Sequence, residues 1–132
     1  TGKPEDILEA NRLVLDDIQP RNEGTMEDSK VIGRVIIESG TLVKSSTIKG
    51  PCIIGEGCTI LNSYIGPYTS IGNYCEIIGT EIEDSVVMDG SRLVNVGKIV
   101  ESLIGRGVRI REDDLKPKGL RFVVGDNSNI VL

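Results

Sequence analysis

Residues 54–76 read IGEGCTILNSYIGPYTSIGNYCE, and this stretch decides the fold. It places large aliphatic residues in steps of six, five and six, at Ile54, Ile60, Ile65 and Ile71. A small residue stands two positions before each of them, at Cys52, Cys58, Ser63 and Thr69. Because residues two apart in a β-strand point to the same side, each aliphatic residue shares an interior with its small partner.

Both regularities continue through most of the chain. Aliphatic residues recur every five or six positions, at Val31, Ile37, Val43, Ile48, Ile54, Ile60, Ile65, Ile71, Ile77, Ile82, Met88, Leu93, Ile99, Ile104 and Ile110. Two positions before each of them stands a residue that is small or β-branched. Three successive steps make one repeat unit, and one set keeps an equal spacing throughout, at Val31, Ile48, Ile65, Ile82 and Ile99.

An interior that alternates one aliphatic with one small residue predicts a narrow coil with three short sides. Pairs such as Gly66-Pro67 and Gly72-Asn73 follow aliphatic positions and suit its tight corners. An ordinary β-sandwich would not keep two linked regularities over roughly 80 residues. We therefore predict an all-β fold, a single-stranded parallel β-helix of about five coils over residues 31–114.

The segments on either side of the repeats have a different character. Pro4 and the acidic residues after it favour a helix start. An apolar stripe predicts a helix within residues 1–19, formed by Ile7, Ala10, Val14 and Ile18 and joined by Leu8 and Leu15. Residues 20–30 are polar and indicate a linker. Residues 115–132 predict a capping tail, with a strand at 120–124 that folds over the last coil and Phe122 as its plug.

Composition narrows the possible partners and compartment. A net charge of −5, with both signs mixed along the chain, argues against a nucleic-acid or membrane-surface role. The chain has three cysteines but no histidine and no C-x-x-C motif, so we expect no metal site. We also expect a reducing, cytoplasmic setting. Cys58 and Cys75 lie one repeat unit apart and should stack on adjacent coils. A disulfide or reactive pair is one interpretation, and we favour two small residues that fill the interior.

Particular motifs resemble known families. Ile54-Gly-Glu-Gly-Cys-Thr, Ile65-Gly-Pro-Tyr-Thr-Ser and Ile71-Gly-Asn-Tyr-Cys-Glu resemble the hexapeptide repeats of left-handed parallel β-helices, and the handedness comes from that resemblance alone. Thr1-Gly-Lys-Pro-Glu-Asp-Ile-Leu-Glu-Ala-Asn11 resembles a segment of long-type glucose-1-phosphate thymidylyltransferases, which lies there between the nucleotidyltransfer domain and the β-helix. Two further segments resemble the same family. Its β-helix is similar to Glu81-Ile-Glu-Asp-Ser-Val-Val-Met-Asp-Gly90, and its C-terminal tail is similar to Val124-Gly-Asp-Asn-Ser128.

The resemblance implies a function for a longer parent protein. That enzyme would join glucose 1-phosphate to dTTP, giving dTDP-glucose and pyrophosphate, with Mg²⁺ as its cation. The family's phosphate loop and metal-binding acids lie outside this chain, and residues 1–19 would be the helix that remains from the catalytic domain. We therefore expect no catalytic, cofactor-binding or metal-binding residue here. The expected role is assembly or regulation, with the chain's own N-terminal catalytic domain as a partner.

A different class of function uses the same repeat. Many acyl-CoA-dependent acyltransferases are hexapeptide β-helices, and they typically employ a histidine as the base that deprotonates the acceptor. This chain contains no histidine, which disfavours that alternative.

Two outward apolar strips are candidate contacts between copies of the chain. One consists of Ile36, Ile53 and Val87, interrupted by Ser70, and the other of Leu61 and Ile78. We expect a homo-oligomer, and the resemblance makes a trimer the first expectation. We interpret the remaining charged groups as solvated surface. They are the acidic pairs Asp16-Asp17, Glu83-Asp84 and Asp113-Asp114, and the arginines Arg106, Arg109 and Arg111. For the arginines, an anion-binding site is the alternative interpretation.

Overall fold

The computed structural model describes residues 3–112 and 122–131. Helix α1 spans Pro4–Leu15, and it is followed by short strands. The strands are β1 (Arg21–Asn22), β2 (Thr25–Glu27), β3 (Lys30–Ile32), β4 (Val35–Ile37), β5 (Leu42–Lys44), β6 (Thr47–Lys49), β7 (Cys52–Ile54), β8 (Thr59–Leu61), β9 (Tyr64–Ile65), β10 (Thr69–Ile71), β11 (Glu76–Glu83), β12 (Val86–Val87), β13 (Arg92–Val100), β14 (Leu103–Ile104) and β15 (Arg109–Arg111).

The strands stack in parallel and form the three sides of a solenoid. Face one holds β1, β4, β7, β10, β12 and β14. Face two holds β2, β5, β8, β15 and the first parts of β11 and β13. Face three holds β3, β6, β9 and the second parts of β11 and β13. The chain visits the three faces in turn for about five turns, so the predicted β-helix is confirmed.

The interior is a stack of aliphatic side chains one residue wide. The evenly spaced set lies in direct register from coil to coil, at Val31, Ile48, Ile65, Ile82 and Ile99. Ile48, Ile65 and Ile82 are fully buried. Val31 is 39% exposed because it lies in the first coil, on an outermost strand of its face. The stacked aliphatic side chains therefore form the core, and few aromatic residues are needed to fill it.

The small inward residues complete the hydrogen bonding of the corners. Between faces two and three, the backbone N–H of Ser46 donates to Ser29 Oγ at 3.0 Å, and that of Ser63 donates to Ser46 Oγ at 3.0 Å. The N–H of Thr80 continues the series to Ser63 Oγ at 3.1 Å. At these corners the side-chain oxygens accept bonds from buried backbone donors. This is a physical reason for the Ser and Thr residues among the small positions.

Two predicted interior positions are each wrong by a single residue. Val87, not Met88, pairs with Ile71 and is 1% exposed, while Met88 is only partly buried. Ser85, not Val86, takes the small inward position, where its hydroxyl accepts from the N–H of Ser102 at 3.0 Å. The step from Ile71 to Val87 is thus shorter than the usual repeat unit, because this coil lacks one residue at the corner before Val86.

The solenoid begins earlier than predicted. Residues 20–30, which we expected to be a linker, contain β1 and β2 and run to the start of β3. β1 pairs with β4 and β2 pairs with β5. The first coil was missed because Met26 is its only large apolar residue before Val31, and Met26 packs against the core.

Both terminal segments also differ from the sequence prediction. The helix ends at Leu15, whose side chain is fully buried. Ile18, beyond the end of the helix, is 8% exposed. Val14 is 61% exposed, and Ala10 is exposed as well, so neither belongs to the buried side. In the tail, Phe122 is 51% exposed and is not a plug, and residues 122–124 form no strand. No helix in the described ranges is long and apolar enough to cross a membrane.

Candidate assembly surfaces

Helix α1 packs on face one through a polar contact at its centre. Asn11 Nδ2 donates to the backbone oxygen of Tyr68 at 3.0 Å, and Ser70 Oγ donates to Asn11 Oδ1 at 2.5 Å. Ser70 lies on β10 and points outward from face one. The two polar residues that interrupt the apolar rows of helix and sheet therefore bond to each other.

Charged and aromatic residues fix the rest of the helix. Arg12 forms a bidentate ion pair with Asp84, and its guanidinium lies 5.4 Å from the centre of the Tyr68 ring. The hydrogen bond with Asp84 raises the pKa of Arg12. Arg34 Nη1 donates to the carbonyl oxygens of Leu15 at 3.2 Å and Asp16 at 2.6 Å. A cation placed there complements the negative end of the helix dipole.

Tyr68 links the helix to the solenoid a second time. Its hydroxyl donates to Asp16 Oδ1 at 2.8 Å, and this hydrogen bond raises the pKa of Tyr68. Asp16, the first residue of the predicted pair Asp16-Asp17, therefore helps to dock the helix on the solenoid.

The first predicted strip lies on the face that α1 occupies. Ile36, Ile53, Ser70 and Val86 form one outward row in register across face one. Ile36 and Ile53 are partly buried. Val87 is not part of this row, since its side chain points into the core, and its predicted outward position is wrong. The row therefore lies on the face where α1 docks, and its Ser70 contacts the helix through Asn11.

The second predicted strip lies on face two, and its residues are aligned. Leu61 and Ile78 are in direct register, and Val94 continues the row on the next coil. All three are partly buried in the single chain. Lys44 and Arg111 end the row on either side. We call Leu61, Ile78 and Val94 the face-two row.

The three cysteines fill the interior, as we favoured from the sequence. Cys52, Cys58 and Cys75 are free thiols and are at most 1% exposed. Burial raises the pKa of Cys52 to about 12. Its Sγ donates to the backbone oxygen of Gly66 at 2.9 Å. The hydrogen bond with Cys75, and then burial, raise the pKa of Cys58, while the same bond lowers that of Cys75.

Two residues of the predicted charged clusters, Glu83 and Asp84, form ion pairs on the surface. Lys98 Nζ lies 3.3 Å from Glu83 Oε1, and Asp84 is the partner of Arg12. Arg92, Arg109 and Arg111 line an open groove of about 340 Å³ at the end of face two, and Arg92 Nε lies 2.5 Å from Glu76 Oε2. Arg106 is exposed apart from them. Asp113 and Asp114 lie outside the described residues.

The helix contacts were missed by sequence reasoning, although a signal was present. Asn11 stands at helical spacing from Ile7 and Leu15, where an apolar residue would be expected. Ser70 interrupts the face-one row in the same way. A polar residue in each of two apolar surfaces indicates that the surfaces meet, because a buried polar group needs a partner.

Comparison with known proteins shows which enzymes the chain is similar to. The chain is 47% identical over 131 residues to glucose-1-phosphate thymidylyltransferase of Streptomyces antibioticus, and 42% identical over 129 residues to that of Streptomyces griseus. These matches cover 98% and 97% of this chain. The chain is homologous to the C-terminal part of glucose-1-phosphate thymidylyltransferases.

The homology covers only part of each relative. The chain spans 37% and 36% of the length of these two thymidylyltransferases. A more distant relative is a bifunctional sugar-1-phosphate nucleotidylyltransferase/acetyltransferase of Sulfurisphaera tokodaii, 38% identical over 112 residues, which are 81% of this chain and 28% of that protein. No protein-family model matches the chain.

Proposed function

We propose that this chain is the assembly domain of a cytoplasmic sugar-1-phosphate nucleotidylyltransferase. The observation that carries the proposal is the 47% identity to a thymidylyltransferase over 98% of the chain. The parent reaction would be that of dTTP with glucose 1-phosphate, giving dTDP-glucose and pyrophosphate. The β-helix would hold several copies together and carry no part of the chemistry.

The three faces of the solenoid differ in what they offer to a second copy. Face one is covered by α1 through the contacts of Asn11 and Arg12. Face three carries charged outward residues between its few apolar ones, among them Lys49, Glu83 and Lys98. Face two has the row of three aliphatic side chains on successive coils. Such a row favours association, since its burial removes apolar surface from water.

A threefold parallel arrangement suits this row. Copies that stand side by side with their solenoid axes parallel bring equal coils to equal heights. The apolar coils of one copy would then face the apolar coils of the next. A homotrimer is therefore our proposed assembly, with the catalytic parts arranged around it.

We propose that the Mg²⁺ of such a transfer is held by the rest of the parent protein. In residues 3–112 and 122–131, no three His, Cys, Asp or Glu side chains come together as possible ligands.

The test of the parent reaction uses the intact gene product. With dTTP, glucose 1-phosphate and Mg²⁺ it should release pyrophosphate, and this chain alone should release none. Release by the chain alone would contradict a non-catalytic role. If the intact product did not react with glucose 1-phosphate but turned over another sugar 1-phosphate, the proposed substrate would be wrong. The proposed enzyme class, a sugar-1-phosphate nucleotidylyltransferase, would stand.

Acyl transfer is the second candidate, and the relative with acetyltransferase in its name supports it. The chain lacks the histidine that such enzymes use as a base. Incubation of the chain with acetyl-CoA and amino-sugar phosphates, followed by assay of free coenzyme A thiol, separates the two. Thiol release that requires the amino-sugar phosphate and exceeds that of a heat-denatured sample would establish the acyltransferase.

A further inference from the structure

The last described coil ends face two with a group of arginines. Arg109 and Arg111 lie two residues apart on β15, so both side chains point outward, while Ile110 between them packs against the core. Arg92 lies in register with Arg109, one coil below. These residues line the groove of about 340 Å³ at the end of face two, which we call the arginine groove.

The arginine groove carries positive charge that the described residues do not balance. Arg92 pairs with Glu76. Within residues 3–112 and 122–131, neither Arg109 nor Arg111 forms an ion pair. Three guanidinium groups therefore share one carboxylate, on a chain whose net charge is −5.

This arrangement destabilises the sheet unless an anion is bound. Glu76 and Arg92 are in register and opposite in charge, and Arg109 on the next coil breaks the alternation. Like charges directly opposite each other on neighbouring strands repel. A bound anion would remove the repulsion between Arg92 and Arg109.

A backbone donor lies at the same end of the solenoid. The N–H of Glu76 donates to the oxygen of Ser91 on the next coil at 3.0 Å, and that of Arg92 donates to the oxygen of Val108 at 2.8 Å. Arg109 is next in this column, and among the described residues no strand of face two follows β15 to accept its N–H. A backbone N–H beside guanidinium groups is a further donor for an anion.

We propose that the arginine groove binds a phosphate-bearing anion of the size of a diphosphate. The planar guanidinium fork matches pairs of phosphate oxygens, and such charge-assisted hydrogen bonds are stronger than neutral ones. The volume of the groove is near the lower end of the range of about 300–1,000 Å³ for small-molecule sites, which suits a diphosphate group.

The composition of the site differs from the anion site considered in the sequence. Arg92 takes part in place of Arg106, which is exposed and does not line the groove. All the arginines of the site come from one chain, so binding requires neither the proposed assembly nor the proposed reaction.

Calorimetric titration of this chain with inorganic pyrophosphate, at constant ionic strength and without divalent cation, tests the site. One saturable binding event per chain is expected. Arg109→Gln should weaken binding about tenfold or more, because charge-assisted hydrogen bonds are lost. Arg106→Gln is the matched control, since Arg106 lies on the same coil outside the groove, and it should change the affinity by less than about twofold.

A second variant separates phosphate recognition from general attraction. Arg109→Lys keeps the charge and loses the planar fork, so it should also bind several times more weakly than the wild type. Without the anion, Arg109→Gln should melt no lower than the wild type, because the repulsion from Arg92 is gone. Pyrophosphate should raise the melting temperature of the wild type and leave that of Arg109→Gln nearly unchanged.

Three results would overturn the proposal. The first is the absence of saturable binding, and the second is an equal loss of affinity in Arg106→Gln and Arg109→Gln. The third is full affinity in Arg109→Lys. Binding that appears only after Asp113→Asn and Asp114→Asn would also overturn it, because the chain's own carboxylates would then occupy the groove.

Titration with a nucleoside diphosphate, dTDP, identifies the source of the phosphate groups. Equal affinity for dTDP and pyrophosphate would support a site that contacts the phosphates alone. Tighter binding of dTDP that is lost in Arg109→Gln would support a site that also contacts the nucleoside. Binding of dTDP that Arg109→Gln leaves unchanged would place the ligand elsewhere and contradict the proposal.

These outcomes are separable from the test of the proposed function. Pyrophosphate release by the intact gene product, with no binding of pyrophosphate by this chain, would retain the nucleotidylyltransferase and remove the anion site. Binding by this chain, with an intact product that turns over no sugar 1-phosphate, would retain the anion site and remove the proposed function.

Discussion

At the scale of single residues, the core tolerates little because it is one side chain wide. Ile71 is 2% exposed and lies between Ile54 and Val87 of the neighbouring coils. Ile71→Asp would place a carboxylate there without a partner, so we expect a loss of about 4 kcal/mol or more in the free energy of unfolding. Urea denaturation followed by circular dichroism measures it.

The control for this substitution adds the same group at an exposed corner. Ser39 is exposed, and Ser39→Asp should change the free energy of unfolding by about 0.5 kcal/mol or less. If Ile71→Asp were as stable as Ser39→Asp, the stacked core would be contradicted.

The buried thiol of Cys52 predicts a loss of stability at high pH. Its pKa is raised from 9 to about 12, so the folded state keeps a proton that the unfolded state releases. Below pH 9 both states are protonated and the thiol adds no pH dependence. Between pH 9 and 12 its contribution is lost, at up to about 1.4 kcal/mol per pH unit. Cys52→Ser keeps a donor for the oxygen of Gly66 and does not titrate in this range.

The free energy of unfolding of the wild type should therefore fall, relative to that of the Cys52→Ser variant, as pH rises above 9. The other buried thiols contribute equally to both proteins and cancel in the comparison. Parallel curves over this range would show that Cys52 ionises as easily in the folded state as in the unfolded one.

At the scale of elements, docking holds the helix. A helix of 12 residues is marginal by itself in water, so α1 depends on its contacts with face one. Arg34→Ala removes two bonds to the C-terminal carbonyls of the helix and should weaken its docking by about 1–2 kcal/mol. Helical signal at 222 nm should melt before the strand signal in this variant.

Arg109→Ala is the control for the helix substitution, because Arg109 lies on β15 at the far end of face two. The two signals should melt together in that variant. If they also melted together in Arg34→Ala, the contact of Arg34 with the helix would add nothing to its docking.

Elements also show what could be predicted from the sequence and why. The coils repeat locally, so spacing alone predicts most of their core. The Val87 position was missed because Val86, Val87 and Met88 are all apolar and periodicity does not choose between them. The choice depends on Ser85, which accepts the N–H of Ser102 on the next coil. Helix docking was missed because Asn11 and Ser70 lie 59 residues apart and meet only in the folded chain.

At the scale of the whole molecule, the distribution of outward residues sets the possible assembly. The helix lies on face one, and face three carries charged outward residues such as Lys49 and Lys98. Within residues 3–112 and 122–131, face two alone has a row of three outward aliphatic side chains on successive coils that α1 does not cover. The Leu61 and Ile78 strip was visible in the sequence because its spacing is that of the repeat unit, whereas its extension by Val94 follows the short coil.

Sedimentation velocity of this chain tests the central claim, its role in assembly, most directly. The account predicts a species of three times the chain mass of 14.3 kDa. Leu61→Asp should shift it to a single-chain species, because three carboxylates would meet in an apolar contact. Thr47→Asp, on face three, should leave the mass unchanged. A wild-type chain that sediments as a monomer at every concentration would contradict the assembly role.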